Sequence, residues 1–149
     1  TFSRKKREEE VRKHNTDWKT AETIIAYTNA TRTLYNEKMC NHLGIENITD
    51  SGTKVICKTN EFRQYEIYNN FQFIVKEIDD EDIILETFNG NEYTLPLKKY
   101  LKKNAFQYGY CLTLYATQGS SLSSFHYAEE DIKWLCPRAV YTLISRLKK

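Results

Sequence analysis

The residues equipped for chemistry stand at the ends of apolar segments. The longest such stretch is 108–122, YGYCLTLYATQGSSL. In it Tyr110, Cys111, Leu112, Thr113 and Leu114 favour a buried strand, and Ala116, Thr117, Gln118, Gly119, Ser120 and Ser121 form a polar turn. Open α/β sheets place ligands at the carboxyl ends of their strands, so a buried strand running into small hydrogen-bonding residues marks a candidate site. Thr113 offers a hydroxyl, Gln118 an amide that both donates and accepts, and Gly119 a backbone that a phosphate approaches without meeting a Cβ. A second set is Thr28-Asn29, between the apolar run TIIAY (Thr23 to Tyr27) and a helical pattern. Hydroxyl and amide side chains there either cap the helix or bind phosphate, and the two roles are compatible. Arg32 follows within one turn and either adds a phosphate contact or faces solvent. Arg146, near the end of the last helical pattern, reads by itself as a surface arginine capping carbonyls.

Periodicity outlines the elements that must carry these groups. Thr23 to Tyr27 is β-branched and apolar, which predicts a buried strand. Leu34, Tyr35, Met39 and Leu43 then fall on one helical face, with Gly44 as a stop. Strand, polar turn and helix make half of a βαβ unit. The pattern changes at Ile45. Lys54 to Lys58, Gln72 to Ile78, Ile83 to Thr87 and Glu92 to Leu97 read as short strands, divided by Asp79 to Asp82 and the hairpin signal Asn89-Gly90-Asn91. They predict a compact antiparallel unit, a small barrel, preceded by the polar and aromatic loop EFRQYEIYNN. The α/β character resumes with 108–122, a possible strand over Ser124 to Ala128, and a helix from Pro137 with Val140, Leu143, Ile144 and Leu147 on its apolar face. The expected fold class is α/β with an all-β insertion. Residues 1–19 form a charged linker or helix, 20–50 with 101–149 the α/β domain, and 51–100 the insertion.

Composition limits the function classes. The 149 residues suit one domain of ordinary size or one carrying a small insertion, and the formal charge of +2 is too small to imply a nucleic-acid partner by itself. The charge is uneven: Lys98, Lys99, Lys102 and Lys103 cluster before the 108–122 stretch, whereas acids gather at Asp79 to Asp82 and Glu129 to Asp131. The lysines make a solvated face or a phosphate track, and Tyr65, Tyr68 and Phe71 pack in their loop or stack on bases. Cys40, Cys57, Cys111 and Cys136 form no CxxC pair, and His14, His42 and His126 are scattered, so no metal site is expected. Free cysteines fit an intracellular, reducing compartment, cytoplasm or nucleus. No run reaches the roughly 20 apolar residues of a membrane span, and no membrane partner is expected. The opening at Thr1, with Met39 the one methionine, is what a piece of a longer protein would present. Abundant Asn, Lys, Ile and Tyr suit an AT-rich genome such as that of a large DNA virus.

Three segments carry a family resemblance, in order. IIAYTNATRTLYN (Ile24 to Asn36) resembles the segment opening the second RecA-like domain of superfamily-1 DNA helicases. YGYCLTLYATQGSSL resembles their motif V, T-x-H-x-x-Q-G, and VYTLISRLKK (Val140 to Lys149) resembles motif VI, Y-x-x-x-T/S-R. IYNNFQFIVKEID (Ile67 to Asp79) is similar to the strand opening the small SH3-like insertion of the 5′-to-3′ branch, with its RecD-like and Dda-like enzymes. The resemblance implies a RecA-like domain 2 of the P-loop NTPase type with an SH3-like insertion. It implies an arginine finger at Arg146 and nucleotide contacts from Gln118 and Gly119, with Gln118 sharing in catalysis. It also implies single-stranded DNA contacts from Thr28, Asn29, Arg32, Thr113, Lys102 and Lys103. Tyr115 stands where motif V usually has His, and Asn70 where a turn Gly is commoner. No G-x-x-x-x-G-K-[ST] loop and no paired acidic motif occur in the sequence, so ATP and Mg²⁺ would be held mainly by a first RecA-like domain elsewhere in the parent enzyme, and the piece alone would hydrolyse nothing. The other reading is a non-catalytic nucleic-acid-binding or scaffolding module of helicase-like shape.

Overall fold

The computed structural model describes residues 3–117 and 122–147, with the side chain of Tyr115 left aside. In chain order the elements are α1 (Arg4–His14), β1 (Thr23–Ala26), α2 (Asn29–Leu43), β2 (Lys54–Cys57), β3 (Gln72–Asp79), β4 (Asp82–Glu86), β5 (Glu92–Pro96), α3 (Leu97–Tyr100), β6 (Phe106–Tyr108), β7 (Cys111–Thr113), β8 (Phe125–Tyr127) and α4 (Pro137–Ser145). They divide into two compact units, one of 1–39 with 110–149 and one of 40–109.

The first unit is built on a parallel sheet of order β7-β1-β8. All four residues of β1 are buried, as a strand covered on both faces requires. The two-residue side-chain period of a strand splits its apolar groups between the faces. Ile25 packs with Val11, Phe125, Tyr127, Val140 and Leu143, and Ile24 and Ala26 pack with Tyr35, Cys111 and Ala128. One face therefore lies under α1 and α4, the other under α2. The charged N-terminal stretch is helical and not solvated all round. Val11 is fully buried, Arg7 Nε donates to the Leu135 carbonyl at 3.0 Å, and beyond the helix Asn15 pairs with Phe125 along the open edge of β8. One buried valine and backbone pairing anchor a segment whose composition reads as linker.

The second unit is an antiparallel sheet of order β5-β4-β3-β2-β6, and β5 and β6 share no ladder among the described residues. Its core is Val55, Phe73, Val75, Ile83, Leu85, Leu95, Tyr100 and Phe106 with their neighbours. The four strands expected from the sequence are present within a residue at either end, with a bulge between Val75 and Glu77. A fifth, β6, pairs with β2, so this ladder runs past residue 100. Phe106 supplies the reason: it stacks on Phe62 and packs on Tyr100, ring centroids 5.8 and 4.6 Å away. Asn70 takes φ +72°, a left-handed turn that Asn tolerates, which accounts for an asparagine where glycine is commoner.

Candidate functional site

Three parallel strands bring their carboxyl ends to one edge of the first unit, and the polar groups there are held from below by one carboxylate. Asp131 is only 2% exposed. One oxygen accepts the N–H groups of Tyr27 (2.7 Å) and Thr28 (3.0 Å), and the other accepts the Thr31 hydroxyl (2.8 Å). Thr28 in turn caps α2: its hydroxyl oxygen accepts the Thr31 N–H at 3.2 Å, and its carbonyl accepts the Arg32 N–H at 3.1 Å. Of the two roles open to Thr28-Asn29 from the sequence, capping falls to Thr28, while Asn29 is exposed as the first helical residue. Arg32, half-buried, follows one turn later.

Thr113 reaches the same edge because β7 runs in register with β1, placing it opposite Ala26, two residues before Thr28. It is half-buried. Among the described residues no strand pairs with the outer side of β7, and the Asn36 side chain takes that place. Its Oδ1 accepts the Cys111 N–H at 2.8 Å and its Nδ2 donates to the Cys111 carbonyl at 3.1 Å, satisfying a buried peptide that would otherwise be orphaned. Burial pushes the neighbouring Cys111 thiol up to about 12. Among the cysteines only Cys136 is exposed.

Arg146 ends α4 and is half-buried. Its Nη1 donates to the Thr117 carbonyl at 2.9 Å, and its own carbonyl accepts the Leu122 N–H at 2.8 Å. Arg146 thus contacts both Thr117 and Leu122. Gln118 and Gly119 lie outside the described residues, as does the Tyr115 side chain. The arrangement sets a guanidinium, the strongest fixed cation a side chain offers, against the Thr117 carbonyl, after β7.

Lys102 and Lys103 belong to the second unit, both exposed, and Lys102 pairs with Glu61 at 2.6 Å. Lys98 and Lys99, on α3, are exposed as well. Tyr65 packs against the core, whereas Tyr68 and Phe71 make an exposed edge-to-face pair at 5.4 Å. Sequence reasoning missed Asp131, Asn36 and an exposed stacked pair, Tyr27 with Trp134. Asp131 had registered only as charge, and nothing local to Asn36 or Trp134 marks what each meets across the fold.

No protein-family model and no curated protein sequence matches the chain. Solved structures do. A Pif1 helicase from Bacteroides, in complex with ADP-AlF3 and ssDNA, matches 99% of this chain and 44% of its own length at 15% identity, TM-score 0.69. Bacteroides Pif1 bound to ssDNA matches 95% of this chain and 42% of its own at 15% identity, TM-score 0.66. A structure of DNA unwinding at forked dsDNA by two coordinating Pif1 helicases matches 99% and 41% at 14% identity, TM-score 0.65. The chain spans less than half the length of these proteins, and at such identity the likeness is one of fold. What the chain shares with the Pif1 helicases is therefore an architecture: a RecA-like α/β unit with a β-rich insertion.

Proposed function

We propose that this chain is the second RecA-like domain, with an SH3-like insertion, of an ATP-dependent DNA helicase in the 5′-to-3′ branch of superfamily 1 that includes RecD-like and Dda-like enzymes. The observation that carries the proposal is the Arg146 guanidinium donating to the carbonyl of Thr117, the residue before Gln118-Gly119 in the sequence, a contact between the segments that resemble motifs VI and V. The Pif1 proteins similar in fold were solved with ADP-AlF3 and with ssDNA, which favours the same ligands here.

In this reading Arg146 stabilises the charge that spreads over the γ-phosphoryl oxygens during hydrolysis, an effect worth about 10³- to 10⁵-fold in rate. Gln118 and Gly119 meet the nucleotide from the same loop. Thr28, Asn29, Arg32 and Thr113, with Lys102 and Lys103, grip single-stranded DNA through its phosphates, which is how a motor ignores base sequence. ATP and Mg²⁺ are held mainly by a first RecA-like domain of the same polypeptide. The compartment is intracellular and reducing, and the parent acts in DNA replication, as a viral enzyme if the composition reflects its source.

The test is single-stranded-DNA-stimulated ATP hydrolysis by the parent protein. Arg146→Ala lowers kcat by about 10³-fold or more while leaving the affinity for DNA nearly unchanged. Normal hydrolysis by that variant sinks the assignment, and a parent lacking a phosphate loop favours the non-catalytic binding module instead.

A further inference from the structure

Tyr27 and Trp134 are two large aromatic rings of the first unit left 53% and 51% exposed, and unlike the more exposed Tyr141 they stack on each other. They are ordered by each other. Their ring centroids lie 6.3 Å apart with planes 21° from parallel, within the range of offset stacking. Both are also anchored through Asp131. The Tyr27 N–H donates to its carboxylate at 2.7 Å, and Trp134 ends the 3-10 turn Glu129–Trp134 in which Asp131 sits. The pair is thus prepared before any ligand arrives, and little ordering entropy remains to be lost on binding. A cation accompanies it: Lys133 Nζ stands 5.2 Å from the Trp134 ring centroid. Thr28 and Asn29 follow Tyr27 directly in the chain.

We propose that Tyr27 and Trp134 form a stacking platform for one unpaired base of single-stranded DNA, a reading that rests on the strand-binding role proposed above. The π-face of any base fits two exposed parallel rings, and the adjoining Lys133 ammonium suits the phosphate next to that base. A neutral apolar partner would match the rings and leave the lysine without a counterpart. The platform gives this unit a base contact that is indifferent to sequence, in addition to phosphate grips at Thr28, Asn29 and Thr113.

The two tryptophans make the test direct, because Trp18→Phe leaves Trp134 as the one indole. Single-stranded oligodeoxythymidine of about 12 residues is titrated into that variant of the 149-residue chain, alongside an abasic strand of equal length. Trp134 emission falls as the thymidine strand binds and stays constant with the abasic strand. Trp134→Leu and, separately, Tyr27→Leu weaken binding of the thymidine strand about 5- to 150-fold and scarcely alter binding of the abasic one. If the strand binds, and Lys102→Glu with Lys103→Glu weakens it, but Trp134 emission and the two leucine variants are unaffected, the platform is wrong while the DNA reading stands. If neither strand binds, both fall. Emission that changes with protein concentration in the absence of DNA means that a second copy covers the rings, and that too overturns the platform.

Discussion

Replacing Asp131 by alanine tests whether one buried carboxylate holds the carboxyl edge of the sheet together. The wild-type group accepts three hydrogen bonds of 2.7, 3.0 and 2.8 Å, besides a long one of 3.5 Å from the Thr28 hydroxyl that adds little. Each hydrogen bond to a charged group contributes roughly 1.5–3 kcal/mol, so three sum to about 4–9 kcal/mol. Two effects reduce that figure. Deleting the carboxylate also removes its own desolvation penalty of several kcal/mol. Tyr27 is half exposed, so water can reach part of the vacated site, and the Thr31 hydroxyl keeps a 2.9 Å contact with Thr28 Oγ1. The net expectation is a loss of about 2–4 kcal/mol for Asp131→Ala. Asp131→Asn should lose about 1–3 kcal/mol, because one carbonyl oxygen remains but the new NH₂ group faces a donor. Urea unfolding followed by tryptophan fluorescence reads this unit selectively, since Trp18 and Trp134 both belong to it. With a slope of about 2 kcal/mol per molar urea, the alanine midpoint moves down by about 1–2 M. A midpoint shift worth less than about 0.5 kcal/mol would refute the keystone role, because that is the effect of an ordinary surface substitution.

Asn36→Leu strips the Cys111 peptide of both buried partners and should destabilise the first unit by about 2–4 kcal/mol in the same urea experiment, with Asn36→Ala no milder. Gly109→Ala would set a Cβ 3.0 Å from the Val55 carbonyl carbon and 3.2 Å from its oxygen. The β2–β6 pairing should weaken by about 1–3 kcal/mol, visible as faster amide exchange at Gly109 and Lys58, which donate to the Lys54 and Ala105 carbonyls. Under native conditions a disulfide reagent should modify Cys136 promptly and reach Cys40, Cys57 and Cys111 only after unfolding. Cys111 titrates near 12 when folded against 9.0 for an ordinary thiol. The folded chain therefore holds its proton where the unfolded chain releases it: the thiol's stabilising contribution is intact below pH 9 and is lost as pH rises toward 12. Cys111→Ala should flatten part of that alkaline decline, measured as urea midpoint against pH.

Much of the local architecture is legible in the sequence because its causes are local. Thr23 to Ala26 is β-branched and apolar, and it is the central strand. Asn89-Gly90 closes a hairpin with Gly90 at φ +87°, and Pro137 opens α4. Gly44, at φ +73°, terminates α2 where only a residue free of Cβ strain sits easily. The candidate site is legible only in part. Thr28 and Thr113 stand out as hydroxyls at strand ends, but that they share an edge depends on β7 and β1 pairing in parallel with Thr113 opposite Ala26. The docking of α1 had no compositional signal beyond Val11, and β6 gave none until Phe106 found its aromatic partners.

The sequence by itself determined most of the strands, helices and turns, β6 excepted, since hydrophobic period, capping residues and glycine act within a few residues. It also determined the α/β class, because a buried β-branched strand feeding a capped helix needs a covered parallel sheet. Tertiary structure alone decided which polar groups meet. Asp131 reaches the Tyr27 amide from 104 residues away, and Arg146 reaches Thr117 across 29. Such pairings follow from strand order and register, through which the whole hydrophobic core chooses one arrangement, and no short-range pattern encodes that choice.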